Sequence, residues 1–108
     1  MNEMKAIGII GGVGPAAGID LFKKVLKHTK ASKDQEHINL FLTSCPSLIP
    51  DRTEFLLKGG SDPAPGIQRC LEILASNGAT AVGLGCNTAH SPKILSRVTV
   101  PSTVRFIN

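Results

Sequence analysis

The sequence has no tryptophan, no tyrosine and only four phenylalanines in 108 residues. A surface that reads nucleic acid by stacking bases on aromatic rings cannot be assembled from so few. No apolar run approaches the roughly 18 residues that a membrane span needs. No basic n-region, apolar h-region and small-residue cleavage site open the chain, because Met1 to Ile10 runs directly into a glycine-rich turn. Paired Cys-x-x-Cys spacing is missing, so a structural zinc, or any metal site, is not expected. The cysteines number three, Cys45, Cys70 and Cys86. An odd count without a secretory leader predicts free thiols in a reducing, cytoplasmic setting. Internal repeats and low-complexity tracts are also lacking.

The composition that remains, 42% hydrophobic and 19% charged, fits one soluble α/β domain over residues 1–108 with a single core. The formal net charge is +4, and much of it lies at Lys23, Lys24, Lys27, Lys30 and Lys33. These read as the exposed face and C-terminal end of a helix, where cations complement the macrodipole. No nucleic-acid motif stands beside them, so neither nucleic acid nor membrane is expected as a partner. A modest positive field suits an anionic small molecule.

Apolar patterning divides the chain into alternating elements. Ala6 to Ile10 is β-branched, short and stopped by Gly11-Gly12, which predicts a buried strand. Pro15 then takes a favoured first-turn position, and Ile19, Phe22, Val25 and Leu26 form one apolar stripe on a helix reaching about Lys30. Ile38 to Thr43 reads as a second strand. A long connection follows from Ser44 to about Pro63, with several prolines, adjacent glycines and the cluster Asp51-Arg52-Thr53. A second helix opens near Asp62-Pro63 and closes on the C-cap pair Asn77-Gly78. Ala81 to Gly85 is a third strand, a third helix is expected from Thr88 or Ala89, and Val98 to Ile107 holds a fourth strand. Strands alternating with helices predict an α/β fold: a doubly wound, parallel four-stranded sheet with helices on both faces.

Ligands bind such sheets at the carboxyl ends of the strands. Three segments meet there: Gly11 to Pro15, Ser44 to Thr53, and Cys86 to His90. Gly12-Val13-Gly14-Pro15-Ala16-Ala17 matches the dinucleotide fingerprint, but Thr43-Ser44-Cys45 stand where an acidic ribose ligand belongs, which argues against a nucleotide. The glycines instead let backbone approach a small anion at the helix start. Arg52 can grip a carboxylate with its planar fork, or equally form a surface ion pair with Asp51, Glu54 or Asp62. Cys86 stands at the end of a strand, and a helix beginning just beyond it would acidify its thiol. Asn87 and Thr88 add donors suited to a carboxylate or enolate oxygen. His90 either orients a partner or packs, and Cys70 reads as a small buried apolar residue.

Three pieces, Gly8-Ile9-Ile10-Gly11-Gly12-Val13-Gly14-Pro15, Ile49-Pro50-Asp51-Arg52-Thr53 and Cys86-Asn87-Thr88-Ala89-His90, occur in one order and spacing. On them the chain resembles the N-terminal domain of the aspartate/glutamate racemase family across nearly its whole length. The resemblance is closer to aspartate racemases than to hydantoin racemases or maleate isomerases. It implies an amino-acid racemase that uses no cofactor, neither pyridoxal phosphate nor metal. It further implies two similar α/β domains, each lending one cysteine to a site between them. On that likeness Cys86 matches the acid/base cysteine, Arg52, Asn87 and Thr88 match substrate-carboxylate contacts, and Gly12-Val13-Gly14 matches a pocket wall.

The second domain and its cysteine are not among the 108 residues, so the expectation is one half of a site. A complementary domain or a second copy across a two-fold axis would complete it. The alternative is a truncated, catalytically silent fragment that binds a small dicarboxylate or a protein partner. Cys45 departs from the small polar residue usual in the family and lies near the same edge.

Overall fold

The computed structural model describes residues 5–86 and 88–107. Strand β1, Ala6–Gly11, is buried at five of its six positions, as befits a strand paired on both sides and covered above and below. It pairs in parallel with β2, Leu40–Ser44, and with β3, Ala79–Leu84, while β4, Arg105–Ile107, pairs in parallel with β3. The order β2-β1-β3-β4 makes the expected all-parallel four-stranded sheet.

Two long helices take opposite faces. Gly8 lies against Leu74 of helix α3, Ala64–Ser76, whereas Gly11 lies against Gly18 of helix α1, Pro15–His28. Positions 8 and 11 differ in parity along a strand, so their Cβ directions point to opposite faces. The α3 side holds the main core, with Ile10, Ile67, Cys70, Leu71, Leu74 and Val82 all essentially inaccessible. Asn77 and Gly78 (φ 100°) end α3, and only glycine accommodates that left-handed turn cheaply.

The α1 side is covered incompletely. The buried line of α1 runs through Gly18, with Leu21 and Val25 half-buried beside it, whereas Ile19 is 51% exposed and Leu26 38% exposed. The single stripe expected through Ile19 and Leu26 is therefore displaced. The helix touches the sheet where it has no side chain, at Gly18, and this rotates its larger apolar residues outward. Beyond α1, over β3 and β4, lies an apolar groove of about 280 Å³ lined by Ile7, Ile9, Leu21, Val25, Gly83 and Ile107. Parallel sheets are ordinarily covered on both faces, so this groove is an unfilled place beside α1.

Two further expectations change. The stretch from Ser44 to Pro63 is not a bare loop: it contains a 3-10 turn at Pro46–Leu48 and helix α2, Arg52–Lys58. Asp51 caps α2 by accepting from the Glu54 N–H at 2.9 Å, and Gly59 closes it at φ 65°. The element after β3 is not a helix from Thr88. It is a 3-10 turn, Thr88–His90, followed by the four-residue helix α4, Pro92–Leu95. Proline at position 92 and the Ser91 cap, whose side chain accepts from the Lys93 N–H, start the helix there instead.

Gly66 lies in the first turn of α3, where helix propensity alone would favour alanine. A Cβ at this position would sit 1.8 Å from the Leu48 carbonyl oxygen. Gly66→Ala is therefore expected to destabilise the chain by at least about 2 kcal/mol in urea unfolding, the opposite sign to the helix propensity.

Candidate active site

The carboxyl edge of the sheet brings the three segments together through backbone contacts. The turn after β1 carries Gly12 at φ 74° and Gly14 at φ 84°. A Cβ on Gly12 would meet the Cys45 nitrogen at 2.7 Å, so the turn and the exit of β2 are in direct contact. Among the described residues, its chain neighbours aside, nothing lies within 4 Å of the corresponding point at Gly14, so the backbone at the start of α1 is open to approach. Between these glycines Val13 is buried, at 2% exposure.

Cys86 follows β3 by two residues. The Gly85 N–H donates to the Ile10 carbonyl at 3.2 Å, extending the ladder, and Gly85 itself rests on Gly18. The half-buried thiol residue lines a recess of about 490 Å³ with Val13, Ala17, Asp20, Leu21, Lys24, Leu84 and Gly85. That volume falls within the range of small-molecule sites. Two charged walls of this recess went unread in the sequence, where Lys24 belonged to a solvated face. All five lysines are indeed exposed, but Lys24 Nζ lies 2.8 Å from Asp20 Oδ2 beside the recess. The Asp20 carboxylate holds the Lys24 ammonium above its ordinary pKa, mainly by hydrogen bonding. The signal available was the i, i+4 spacing of opposite charges on α1.

No long helix follows Cys86, so the expected helix macrodipole is not aimed at the thiol. His90 resolves in favour of packing. Its Nε2 lies 2.9 Å from the Leu84 carbonyl, which can only accept, so Nε2 carries the proton. The ring also meets Phe106 at a centroid distance of 6.3 Å. His90 thereby ties the turn after Cys86 back to β3. Thr88 is exposed at the edge, and Asn87 lies outside the described residues.

Arg52 is the first residue of α2, which packs against the Thr88–His90 turn. It lies outside the walls of the Cys86 recess. Its surface-pair alternatives fail one by one among the described residues. Asp51 caps α2, Glu54 pairs with Lys58 at 3.8 Å, and Asp62 pairs with Arg97. Arg52 Nε is buried with no hydrogen-bond partner. A guanidinium held at a ligand edge with unused donors is equipped to take a carboxylate. Arg97 was unread in the sequence: it grips Asp62, donating to Asp62 Oδ1 at 3.0 Å, and its guanidinium lies 5.2 Å from the Phe55 ring centroid. It thus joins the segment after Cys86 to the helix that carries Arg52. Among the described residues no group of three or more His, Cys, Asp or Glu side chains could hold a metal ion, and no helix is long and apolar enough to cross a membrane.

This geometry coincides with a family match. A family model described as Asp/Glu/hydantoin racemase matches residues 10–99. The chain belongs to that racemase family. Among solved structures it is similar to the aspartate racemase of Picrophilus torridus at 34% identity with a TM-score of 0.85, over 96% of this chain and 43% of that one. An aspartate racemase homologue from Pyrococcus horikoshii is similar at 23% identity with a TM-score of 0.62, over 97% of this chain and 45% of that one, which bears on the fold. The chain spans less than half the length of these two racemase structures.

The Arg97–Asp62 link should respond to acid. Arg97 holds the Asp62 carboxyl below its ordinary pKa, so the folded state binds fewer protons than the unfolded state in the acid range. The stabilisation is complete above the ordinary aspartate pKa and disappears as pH falls through the depressed folded value. Both side chains are about a third or more exposed, so screening limits the pair to about 1 kcal/mol or less. Asp62→Asn is expected to lower the urea midpoint at pH 7, with the difference from the parent chain closing near the acid end of the titration.

Proposed function

We propose that this chain forms one half of a cofactor-independent amino-acid racemase site, with Cys86 as one of two acid/base thiols. The observation that carries the reading is the position of Cys86. It is half-buried in a small-molecule-sized recess at the carboxyl edge of the sheet, in a member of a racemase family. A thiolate there takes the α-proton of the substrate, and a thiol on the opposite face returns one with inverted configuration. The α-proton is so weakly acidic that the developing negative charge on the carboxylate must be met by fixed donors. Arg52, Thr88, Asn87 and the open backbone at Gly14 are the groups assigned to that task, with Gly12 and Val13 forming the adjoining wall. The substrate class is an acidic amino acid, with aspartate preferred over glutamate because the Picrophilus torridus protein is an aspartate racemase.

The opposite thiol belongs to a complementary domain or to a second copy. The apolar groove beside α1 supports the need for such a partner, since it leaves Ile107 47% exposed. The same groove favours a second reading, in which the chain is a silent fragment that binds a dicarboxylate or a protein. The three cysteines without a disulfide support a reducing, cytoplasmic setting for either form.

Incubation with L-aspartate in deuterated buffer separates these readings. Cys86-dependent exchange of the α-proton is expected, with loss of at least about a hundredfold in Cys86→Ser. Exchange with retained configuration means one base acting alone, while racemisation together with a dimer in sedimentation means that a second copy completes the site. A folded chain that exchanges nothing overturns catalysis by this chain alone. Arg52→Ala is expected to lower kcat/KM, or the exchange rate at low substrate, by about 10- to 100-fold through loss of a charge-assisted carboxylate contact.

A further inference from the structure

Two cysteines remain that the proposed racemase chemistry does not use. Phe41, Thr43 and Cys45 alternate along β2 and its exit, and so project to the face covered by α3. The opposite parity at Leu42 lies against Gly11 and Gly18 on the α1 side. On α3, Gly66, Cys70 and Leu74 follow one another at four-residue spacing along the buried line. Gly66 abuts the Leu48 carbonyl just beyond the exit of β2, and Leu74 abuts Gly8 of β1. Cys70 is held between these two contacts, fully buried, while half-buried Cys45 packs on the same core cluster.

Burial pushes the Cys70 thiol up from its ordinary pKa, the nearby Thr43 hydroxyl works against that rise, and Cys45 adds to it. Thr43 Oγ1, on the same face of β2, is buried with no hydrogen-bond partner among the described residues. One accessible thiol, one enclosed thiol and an unsatisfied hydroxyl form a closed cluster beneath the edge that carries Cys86.

From this cluster we infer that Cys45 and Cys70 form a peroxide-driven intramolecular disulfide, a modification site separate from Cys86. The Cys45 thiolate, the member open to solvent, attacks one oxygen of hydrogen peroxide. The O–O bond breaks, hydroxide leaves, and Cys45 becomes a sulfenic acid. The Cys70 sulfur then attacks the Cys45 sulfur, the S–O bond breaks, and the departing hydroxyl leaves as water with the Cys70 proton. Thr43 is placed to donate to that departing oxygen. In total two thiols lose two electrons, and one peroxide becomes two waters. The bond staples the exit of β2, which abuts Gly12, onto the middle of α3.

The test is peroxide titration of the reduced full chain, followed by unfolding, alkylation of remaining thiols and peptide mass mapping. Cys45 and Cys70 are expected to lose alkylation together and to appear in one cross-linked peptide pair that dithiothreitol separates. Cys86→Ser leaves that pair unchanged. Cys45→Ser keeps Cys70 alkylatable, and Cys70→Ala leaves a sulfenic acid on Cys45 that dimedone traps. Cys45 oxidised while Cys70 stays fully alkylatable overturns the inference, as does a bond from Cys45 to Cys86 or to another chain. If Cys70→Ala does not fold, the map of the parent chain decides. These readouts do not depend on amino-acid turnover, so the racemase reading and this one can fail separately.

Discussion

The close approach of α1 to the carboxyl edge of the sheet is the constraint on which the rest depends. A Cβ on Gly11 would lie 3.6 Å from the Gly18 Cα, a Cβ on Gly18 would lie 2.9 Å from the Gly11 Cα, and a Cβ on Gly85 would lie 3.3 Å from Gly18. The end of β1, helix α1 and the distant segment after β3 therefore touch through backbone alone. Helix α1 is seated low enough for its Ala17, Asp20 and Lys24 to wall the recess that holds Cys86. The same contact rotates Ile19 and Leu26 outward and leaves the space over β3 and β4 uncovered. Site formation and the unfilled apolar face thus have one cause.

A second set of contacts joins the edge to the other face. Gly12 against Cys45 and Gly66 against Leu48 hold the exit of β2 between the first turn and α3. Arg97 then connects α4 to Asp62 and Phe55, and so to the helix bearing Arg52. The side chains proposed for substrate binding stand on short elements that have little core of their own: no residue of α2 is buried. Their placement comes from neighbours more than from intrinsic helix stability, since a helix this short is marginal in isolation. Among the described residues Arg52 Nε is buried with no hydrogen-bond partner, which costs stability.

The three free cysteines occupy three environments that residue type does not distinguish. Cys86 borders a recess, Cys45 sits half-buried at the exit of β2, and Cys70 is enclosed. The reactivity of a thiol follows access and neighbouring charge, so identical side chains are given different chemistry by depth.

Strand identity, the parallel sheet, the convergence of three loops and the place of Cys86 were all legible in the residues. Short β-branched runs stopped by glycine and alternating with amphipathic stretches leave few other folds. Helix α2 was not read in the sequence, although Asp51 and Glu54 stand at capping spacing at its start. Tertiary structure alone decided which face of α1 is buried, because the deciding residue, Gly18, has no side chain to register in an apolar stripe. It also decided that Arg52 lacks its neighbouring carboxylates, that His90 packs, and that Cys45 and Cys70 border one core. Those outcomes depend on contacts between segments far apart in the chain, whereas periodicity reports only what neighbouring residues share.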